Sequence, residues 1–225
     1  MTTLRIPPNL PKATLEEMRA CPIIKQFDDL GIWFGVNPPV IDAREMVLHI
    51  SDTPQTMYGY LRKVLRRLRP AWIVHTGDFV DNVKLEKRPG LIDLYRKKIK
   101  DFFAILDEDD YGAIVVTGNH DDVPTLLSYR HSPSVQIWTT PGTFSLGNFS
   151  FRAAHTYEDV MTDPAQYNLY GHNMVHPSCT DAKGNMYLNG LQAMYLIHIY
   201  SGEVTAIPYP PGTDNARLNH RRVSL

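Results

Sequence analysis

The sequence contains little cysteine, no long apolar run and almost no net charge. Its two cysteines, Cys21 and Cys179, are too few for a disulfide framework and are typical of a reducing compartment. No apolar run approaches the roughly 20 residues of a membrane-spanning helix. The N-terminal segment also lacks the apolar core of a secretory signal. We therefore expect a cytoplasmic protein with no membrane partner.

The balance of charge gives no support for a polyanionic partner, because the formal net charge is -1. Basic residues do cluster at 62–69 and 96–100, but a solvated helix face is the simpler interpretation of both clusters. The acidic run at 107–110 offsets them. A nucleic-acid footprint is therefore not established. Nothing in the sequence specifies an oligomeric state.

The first 44 residues differ in composition from the rest of the chain. They contain six prolines and one short helical signal, the capping box that begins at Thr14. We interpret residues 1–44 as an N-terminal extension packed on the domain, and the alternative is a wandering tail. Residues 45–208 then form the main domain, and residues 209–225 form a C-terminal tail.

From Met46 the sequence alternates between strands and helices. Short apolar runs predict strands at 46–50, 72–74 and 113–116. Apolar residues at helical spacing predict helices between these strands, and a brief helix follows at about 124–129. After about residue 134 the helical signals stop, and the sequence predicts seven short strands. We expect these strands to pair largely antiparallel. The pattern predicts an α/β fold with two sheets packed face to face and helices outside.

Polar residues with metal-binding side chains follow several of the predicted strands. Asp52, Asp78 and Asn119 each come just after a strand of the first half, whereas His155 and His172 follow strands of the second half. Loops at the carboxyl ends of parallel strands are where α/β folds bind ligands. Oxygen and imidazole ligands together suit Mn, Fe or Zn. The sequence therefore predicts a metal site at this edge.

The motifs HISD, GDFVD, GNHDD, the His155 segment and the GH at 171–172 resemble, in order, those of the calcineurin-like metallophosphoesterases. The resemblance implies a four-layer α/β/β/α sandwich of two mixed sheets with two metal ions. It implies that Asp78 bridges the ions, and that Asn119, His155 and His172 complete the shell of the second metal.

The resemblance also implies that the shell of the first metal is incomplete. The D-x-H motif of the family reads Asp52-Thr53-Pro54, and its G-H-x-H motif ends in Met174. Proline offers no side-chain ligand, and a thioether is a poor ligand for a hard divalent ion. We expect a divergent member with one firmly bound divalent metal and a second that is weak or absent. His176 or Gln55 could replace the lost ligands, and this alternative stays open.

His120 corresponds to the family histidine that protonates the leaving group or stabilises charge on the phosphate. Asp121, beside it, could orient its ring. The resemblance implies hydrolysis of a phosphate monoester or diester by metal-activated water, at a rate that the incomplete first site reduces. The alternative is a catalytically degraded protein that uses the same fold for binding or as a scaffold.

Overall fold

The computed structural model describes residues 24–26, 38–129 and 132–218. Twelve strands lie within these ranges: β1 (Ile24–Gln26), β2 (Met46–Ile50), β3 (Trp72–His75), β4 (Gly112–Val116), β5 (Val135–Trp138), β6 (Gly142–Leu146), β7 (Phe149–Ala153), β8 (Tyr167–Tyr170), β9 (Cys179–Thr180), β10 (Met186–Asn189), β11 (Met194–His198) and β12 (Val204–Ile207). The α-helices are α1 (Tyr58–Leu68), α2 (Ile92–Leu106), α3 (Val123–Ser128), α4 (Tyr157–Met161) and α5 (Thr213–Arg217). Single 3₁₀ turns at Gln55–Met57 and Pro89–Leu91 precede α1 and α2.

The larger sheet has seven strands in the order β1-β12-β11-β2-β3-β4-β5. Strands β2 to β5 are all parallel, as the alternation of strands and helices predicts. Strand β11 runs antiparallel to both β2 and β12, so the end of the chain returns to this sheet. The parallel strands therefore present their carboxyl ends at one common edge.

The smaller sheet has five strands in the order β6-β7-β8-β10-β9. Its outer pairs, β6–β7 and β9–β10, are antiparallel, as expected for hairpin-like segments. The central pairs β7–β8 and β8–β10 are parallel, so the smaller sheet is mixed, and the expected antiparallel pairing holds for its outer pairs and for β11–β12. Parallel pairing places the ends of β7 and β8 side by side, and their loops can then reach the same region.

Three apolar layers hold the fold together. The helices α1 and α2 bury the predicted apolar faces, including Leu61, Leu65 and Ile99, against the larger sheet. A second layer, including Val74 and Phe151, fills the space between the two sheets. A small third layer lies on the outer face of the smaller sheet, under α4. This confirms the α/β/β/α sandwich.

Two short helices, α4 and α5, contradict the expectation that helices stop after residue 134. The α4 helix begins at a side-chain cap in which Thr156 Oγ1 accepts from the Asp159 N–H at 3.2 Å. A helix of five residues has too few turns to show a period in the sequence. None of the described helices is long and apolar enough to cross a membrane.

The N-terminal extension lies mostly outside the described residues, and so does the helix predicted from the capping box at Thr14. Within the described part of the extension, β1 pairs in parallel with β12 and so forms an edge of the larger sheet.

Candidate metal centre

The fold brings the five predicted ligand positions to one region. Asp52, Asp78 and Asn119 follow β2, β3 and β4 in the larger sheet, and His155 and His172 follow β7 and β8 in the smaller one. Both sheets therefore contribute to a single centre. Carboxylate oxygens of Asp52 and Asp78 lie within 4.8 Å of each other and of a ring nitrogen of His155.

The loops that carry these residues have strained backbones. Asp52, Asp78 and His172 have φ values of 49°, 58° and 72°, in the left-handed region that side chains other than glycine rarely adopt. Such strain is typical of sites where a side chain must point in one required direction. Gly118 and Gly171 allow close approach: a Cβ at Gly118 would overlap the Asp78 carboxylate, and one at Gly171 would overlap Ser51 and Asp52.

Three donor atoms meet at the second-metal position, and the Asp78 carboxylate lies beside one of them. Asn119 Oδ1 lies 2.9 Å from His155 Nε2 and 3.0 Å from His172 Nδ1. The two ring nitrogens lie 3.1 Å apart, and His155 Nε2 lies 3.6 Å from Asp78 Oδ2. Ligand atoms on one divalent ion lie about 3.0–3.5 Å apart when the metal–ligand bonds are about 2.1 Å long. The spacing of the Asn119, His155 and His172 atoms therefore fits one ion, and the Asp78 carboxylate adjoins them through His155.

Neighbouring groups orient the lone pairs toward this position. His155 Nδ1 lies 2.7 Å from the Thr76 carbonyl, which can only accept, so Nδ1 carries the proton and Nε2 presents a lone pair. The Asn119 amide donates from Nδ2 to Glu86 Oε2 at 2.6 Å, and its Oδ1 therefore faces the imidazoles. An amide oxygen, an imidazole lone pair and a carboxylate thus converge. A cation would satisfy all of them.

Electrostatics give a second test of the fit. Burial, and then the nearby Asp52 carboxylate, hold the pKa of Asp78 well above its usual range. Asp52 and Asp78 are each only 2% exposed, so water screens their repulsion poorly. A divalent ion bound by Asp78 would offset this repulsion. Together with the spacing of Asn119, His155 and His172, the electrostatics fit a divalent metal beside Asp78.

The first-metal position differs. Asp52 is present, but its Oδ2 accepts from Ser51 Oγ at 2.6 Å and from the His172 N–H at 3.1 Å. Pro54 is buried and its carbonyl accepts from Met57 N–H at the start of the 3₁₀ turn. Met174 is 40% exposed, so its side chain lies partly in solvent. Neither position supplies a ligand.

His120, the predicted catalytic residue, lies beside Asp78. Its backbone N–H donates to Asp78 Oδ1 at 2.9 Å, and its ring is 6% exposed. Burial, and then the Lys84 ammonium, lower the pKa of His120 to about 4. A neutral imidazole therefore predominates at pH 7. In that state the ring can donate one hydrogen bond.

The family comparison accounts for this arrangement. A model of the calcineurin-like phosphoesterases matches residues 46–213, which include every position described above. The chain belongs to the calcineurin-like phosphoesterase family. The resemblance seen in the sequence is thereby confirmed, and membership supports metal-dependent hydrolysis of phosphate esters in general.

Solved structures resemble the fold at low sequence identity. One crystal structure is 12% identical to this chain, and the match covers 73% of this chain and 99% of the other chain, with a TM-score of 0.52. The E. coli phosphoesterase YfcE is 14% identical over 72% of this chain and 99% of its own, with a TM-score of 0.43. A protein of unknown function from Aquifex aeolicus is 16% identical over 64% and 89%, with a TM-score of 0.39. These identities bear on fold alone, and the last two TM-scores are too low to support a conclusion. Comparison with curated proteins finds no significant match.

Neither predicted substitute ligand reaches the first-metal position of this calcineurin-like phosphoesterase. The His176 ring stacks on Tyr157 with centroids 4.0 Å apart, and its Nε2 lies 3.5 Å from Glu158. Gln55 lines a cavity of about 290 Å³ between α1 and α2. His176 joins no group of metal-binding His, Cys, Asp or Glu side chains among the described residues. The contacts described for His176 and Gln55 therefore do not include Asp52 or Asp78.

Asp121 does not orient the His120 ring, as the sequence suggests it could. Its carboxylate instead accepts from the backbone N–H groups of Asp78, Gly118 and Phe79 at 2.7, 2.8 and 3.1 Å, and from Tyr95 Oη at 3.0 Å. These hydrogen bonds tie the loop after β3 to the loop after β4. Asp121 thereby positions the backbone under two of the proposed ligands.

Sequence reasoning misses Arg217, which lies in α5 beyond the end of the family match. Its guanidinium is buried and donates to the carbonyls of Asp52, Leu191 and Ser51 at 2.7, 3.0 and 3.1 Å. It also lies 4.2 Å from the centre of the Tyr209 ring. This part of the C-terminal segment, which we assign to a tail from sequence, therefore holds the loop that carries Asp52.

Proposed function

We propose that this chain is a metal-dependent phosphoesterase in which one metal position, formed by Asp78, Asn119, His155 and His172, supports the reaction. The observation that carries the proposal is the convergence of Asn119, His155 and His172 donor atoms 2.9–3.1 Å apart, with Asp78 Oδ2 3.6 Å from His155 Nε2. The Thr76 carbonyl orients His155, and the Glu86 carboxylate orients Asn119. Mn, Fe or Zn suits this mixture of imidazole and oxygen ligands. Asp52 would contribute from the other side, where a second ion binds weakly or not at all.

Each residue has a separate task in the proposed reaction. A bound divalent ion supplies Lewis acidity to the phosphoryl oxygen and lowers the pKa of the attacking water. Thr76 keeps the His155 tautomer correct, and Glu86 keeps the Asn119 oxygen directed inward. The neutral His120 ring donates a hydrogen bond to the phosphate as charge develops on its oxygens. Its low pKa favours this role over proton transfer from an imidazolium.

The substrate class is a phosphate monoester or diester, and two chromogenic compounds separate these cases. We would assay the purified chain with Mn²⁺ on p-nitrophenyl phosphate and on bis(p-nitrophenyl) phosphate. We expect hydrolysis of at least one, with kcat reduced about 10²–10³-fold in His120→Ala. His176→Ala is the matched control, because this histidine lies on Tyr157 outside the donor cluster, and it should leave kcat unchanged.

Two outcomes would contradict the proposal. An inert wild type that binds one Mn²⁺ per chain would support the binding or scaffold alternative. Equal losses in His120→Ala and His176→Ala would remove His120 from the reaction.

A further inference from the structure

Lys84 lies in the loop that follows β3, in a conformation that points its side chain back toward the centre. Its φ is 55°, and its carbonyl accepts from the N–H groups of Lys87 and Arg88, both at 3.0 Å. These hydrogen bonds close a turn around Lys84. The ammonium forms an ion pair with Asp81 Oδ1, and the Lys84 side chain is 22% exposed.

The Lys84–Asp81 ion pair is close to the proposed reaction centre. Ligand atoms of Asp78, Asp81 and His120 all lie within 4.8 Å of one another, and Asp81 is 1% exposed. The ammonium contacts that same Asp81 carboxylate. A positive charge held by Asp81 therefore lies close to His120.

A phosphate ester needs such a charge here. With Pro54 and Met174 at the first-metal position, one of the two cations that the family resemblance implies loses two ligands. Arg217 cannot replace it at the substrate, because its side chain is 4% exposed and its donors serve backbone carbonyls. Lys84 is both near the centre and partly exposed, and an ammonium has three N–H donors, of which Asp81 takes one.

We propose that Lys84 binds a phosphoryl oxygen of the substrate and supplies part of the positive charge that a first metal ion would otherwise provide. Asp81 holds the ammonium in place and remains paired with it when phosphate binds. This role deepens the proposed phosphoesterase function and rests on it. Phosphate binding can nevertheless be measured without turnover, so the two proposals can fail separately.

The probe is inorganic phosphate, whose dissociation constant we would measure by isothermal titration calorimetry on the Mn²⁺-loaded chain. Lys84→Met should weaken phosphate binding about 10–100-fold, the usual value of a hydrogen bond to a charged group. The Mn²⁺ content should not change. Lys87→Met is the matched control: this lysine lies in the same loop but is exposed, and its loss should weaken phosphate binding less than about 3-fold.

A second variant tests whether Lys84 binds phosphate directly or only neutralises the buried Asp81 carboxylate. Lys84→Met leaves Asp81 buried without its cation, which alone could disturb the loop. Asp81→Asn/Lys84→Met removes both charges and relieves that strain. We expect phosphate binding to stay weak in the double variant. Recovery to the wild-type dissociation constant would overturn the role of Lys84, as would equal losses in Lys84→Met and Lys87→Met.

Turnover then shows which proposal fails. If the wild type hydrolyses neither chromogenic ester but binds phosphate in a Lys84-dependent way, the binding role of Lys84 stands and the hydrolytic function fails. If the wild type hydrolyses an ester and Lys84→Met leaves both kcat/KM and phosphate affinity unchanged, the hydrolytic function stands and the role of Lys84 is overturned.

Discussion

The two halves of the candidate centre differ in what points into them. At the second-metal position, donor atoms of Asn119, His155 and His172 lie 2.9–3.1 Å apart with their lone pairs converging. At the first-metal position, the Asp52 carboxylate accepts hydrogen bonds from Ser51 and from the His172 backbone N–H, and Pro54 and Met174 stand where the resemblance implies imidazoles. Both halves nevertheless have a left-handed backbone at a proposed ligand, at Asp52 as at Asp78 and His172. The two halves therefore differ in their side chains rather than in this feature of their loops.

The difference shows what holds each half. At the second-metal position, His155 and Asn119 are each oriented by one hydrogen bond, which they donate to the Thr76 carbonyl and to the Glu86 carboxylate. The loop at the first-metal position is held through its backbone, because Arg217 donates to the carbonyls of Ser51 and Asp52. A metal ion is one way to hold such a loop, and a buried guanidinium is another. This contrast leads to distinct predictions for the two halves.

The largest expected effect comes from removing the guanidinium. Arg217→Met takes a donor from three carbonyls at once, and we expect the free energy of unfolding to fall by about 3–5 kcal/mol. Urea unfolding of metal-free protein measures this loss. Asp214→Asn is the control, because Asp214 pairs with Arg217 at 3.0 Å but is 80% exposed, and it should cost less than about 1 kcal/mol. Similar costs for both variants would show that backbone anchoring does not hold the first half.

The next effect compares two side chains in one loop. His172→Ala should weaken Mn²⁺ binding about 100-fold or more, since even an outer partner of a ligand is worth about 10–100-fold. Met174→Ala, two residues away, should leave the dissociation constant within about 2-fold because its thioether is not a suitable ligand. Calorimetric titration with Mn²⁺ measures both. A larger loss for Met174 than for His172 would reverse the assignment of intact and altered halves.

Much of the fold follows from local sequence signals. Apolar runs at 46–50, 72–74 and 113–116 predict strands that the structure contains, and Asp52, Asp78 and Asn119 follow from their position at those strand ends. Both signals are local, because a strand needs only a few consecutive residues and parallel ends meet at one edge. Where donor chemistry coincides with the end of a strand, the sequence is enough to predict the neighbourhood.

Contacts between distant segments could not be predicted in this way. Arg217 and Asp52 are 165 positions apart, and a buried arginine in a short polar segment looks like any exposed arginine. The parallel pairing of β8 with β10 depends on a crossover that short strands do not specify. Asp121 illustrates the same limit: its four hydrogen bonds reach two loops, whereas proximity in sequence suggests His120 as its partner.

The smallest predicted effect is a loss of stability at low pH that comes from β2, the strand that leads to Asp52. His49 lies in β2, fully buried, with Nε2 3.1 Å from Thr76 Oγ1. Burial lowers the pKa of His49 from the ordinary 6.5 to about 3. Below about pH 6.5 His49 is therefore protonated in the unfolded chain, whereas in the folded chain it stays neutral down to about pH 3. The free energy of unfolding falls as the pH drops across this window.

At pH 5.5 the cost from His49 should be about 1.4 kcal/mol relative to neutral pH. Urea unfolding of metal-free wild type and His49→Gln at pH 7.5 and 5.5 isolates this contribution, since the other groups titrate in both proteins. The wild type should lose more stability than the variant over this interval. If the two lose the same amount, His49 is protonated in the folded state, and the first half does not rest on a neutral buried imidazole.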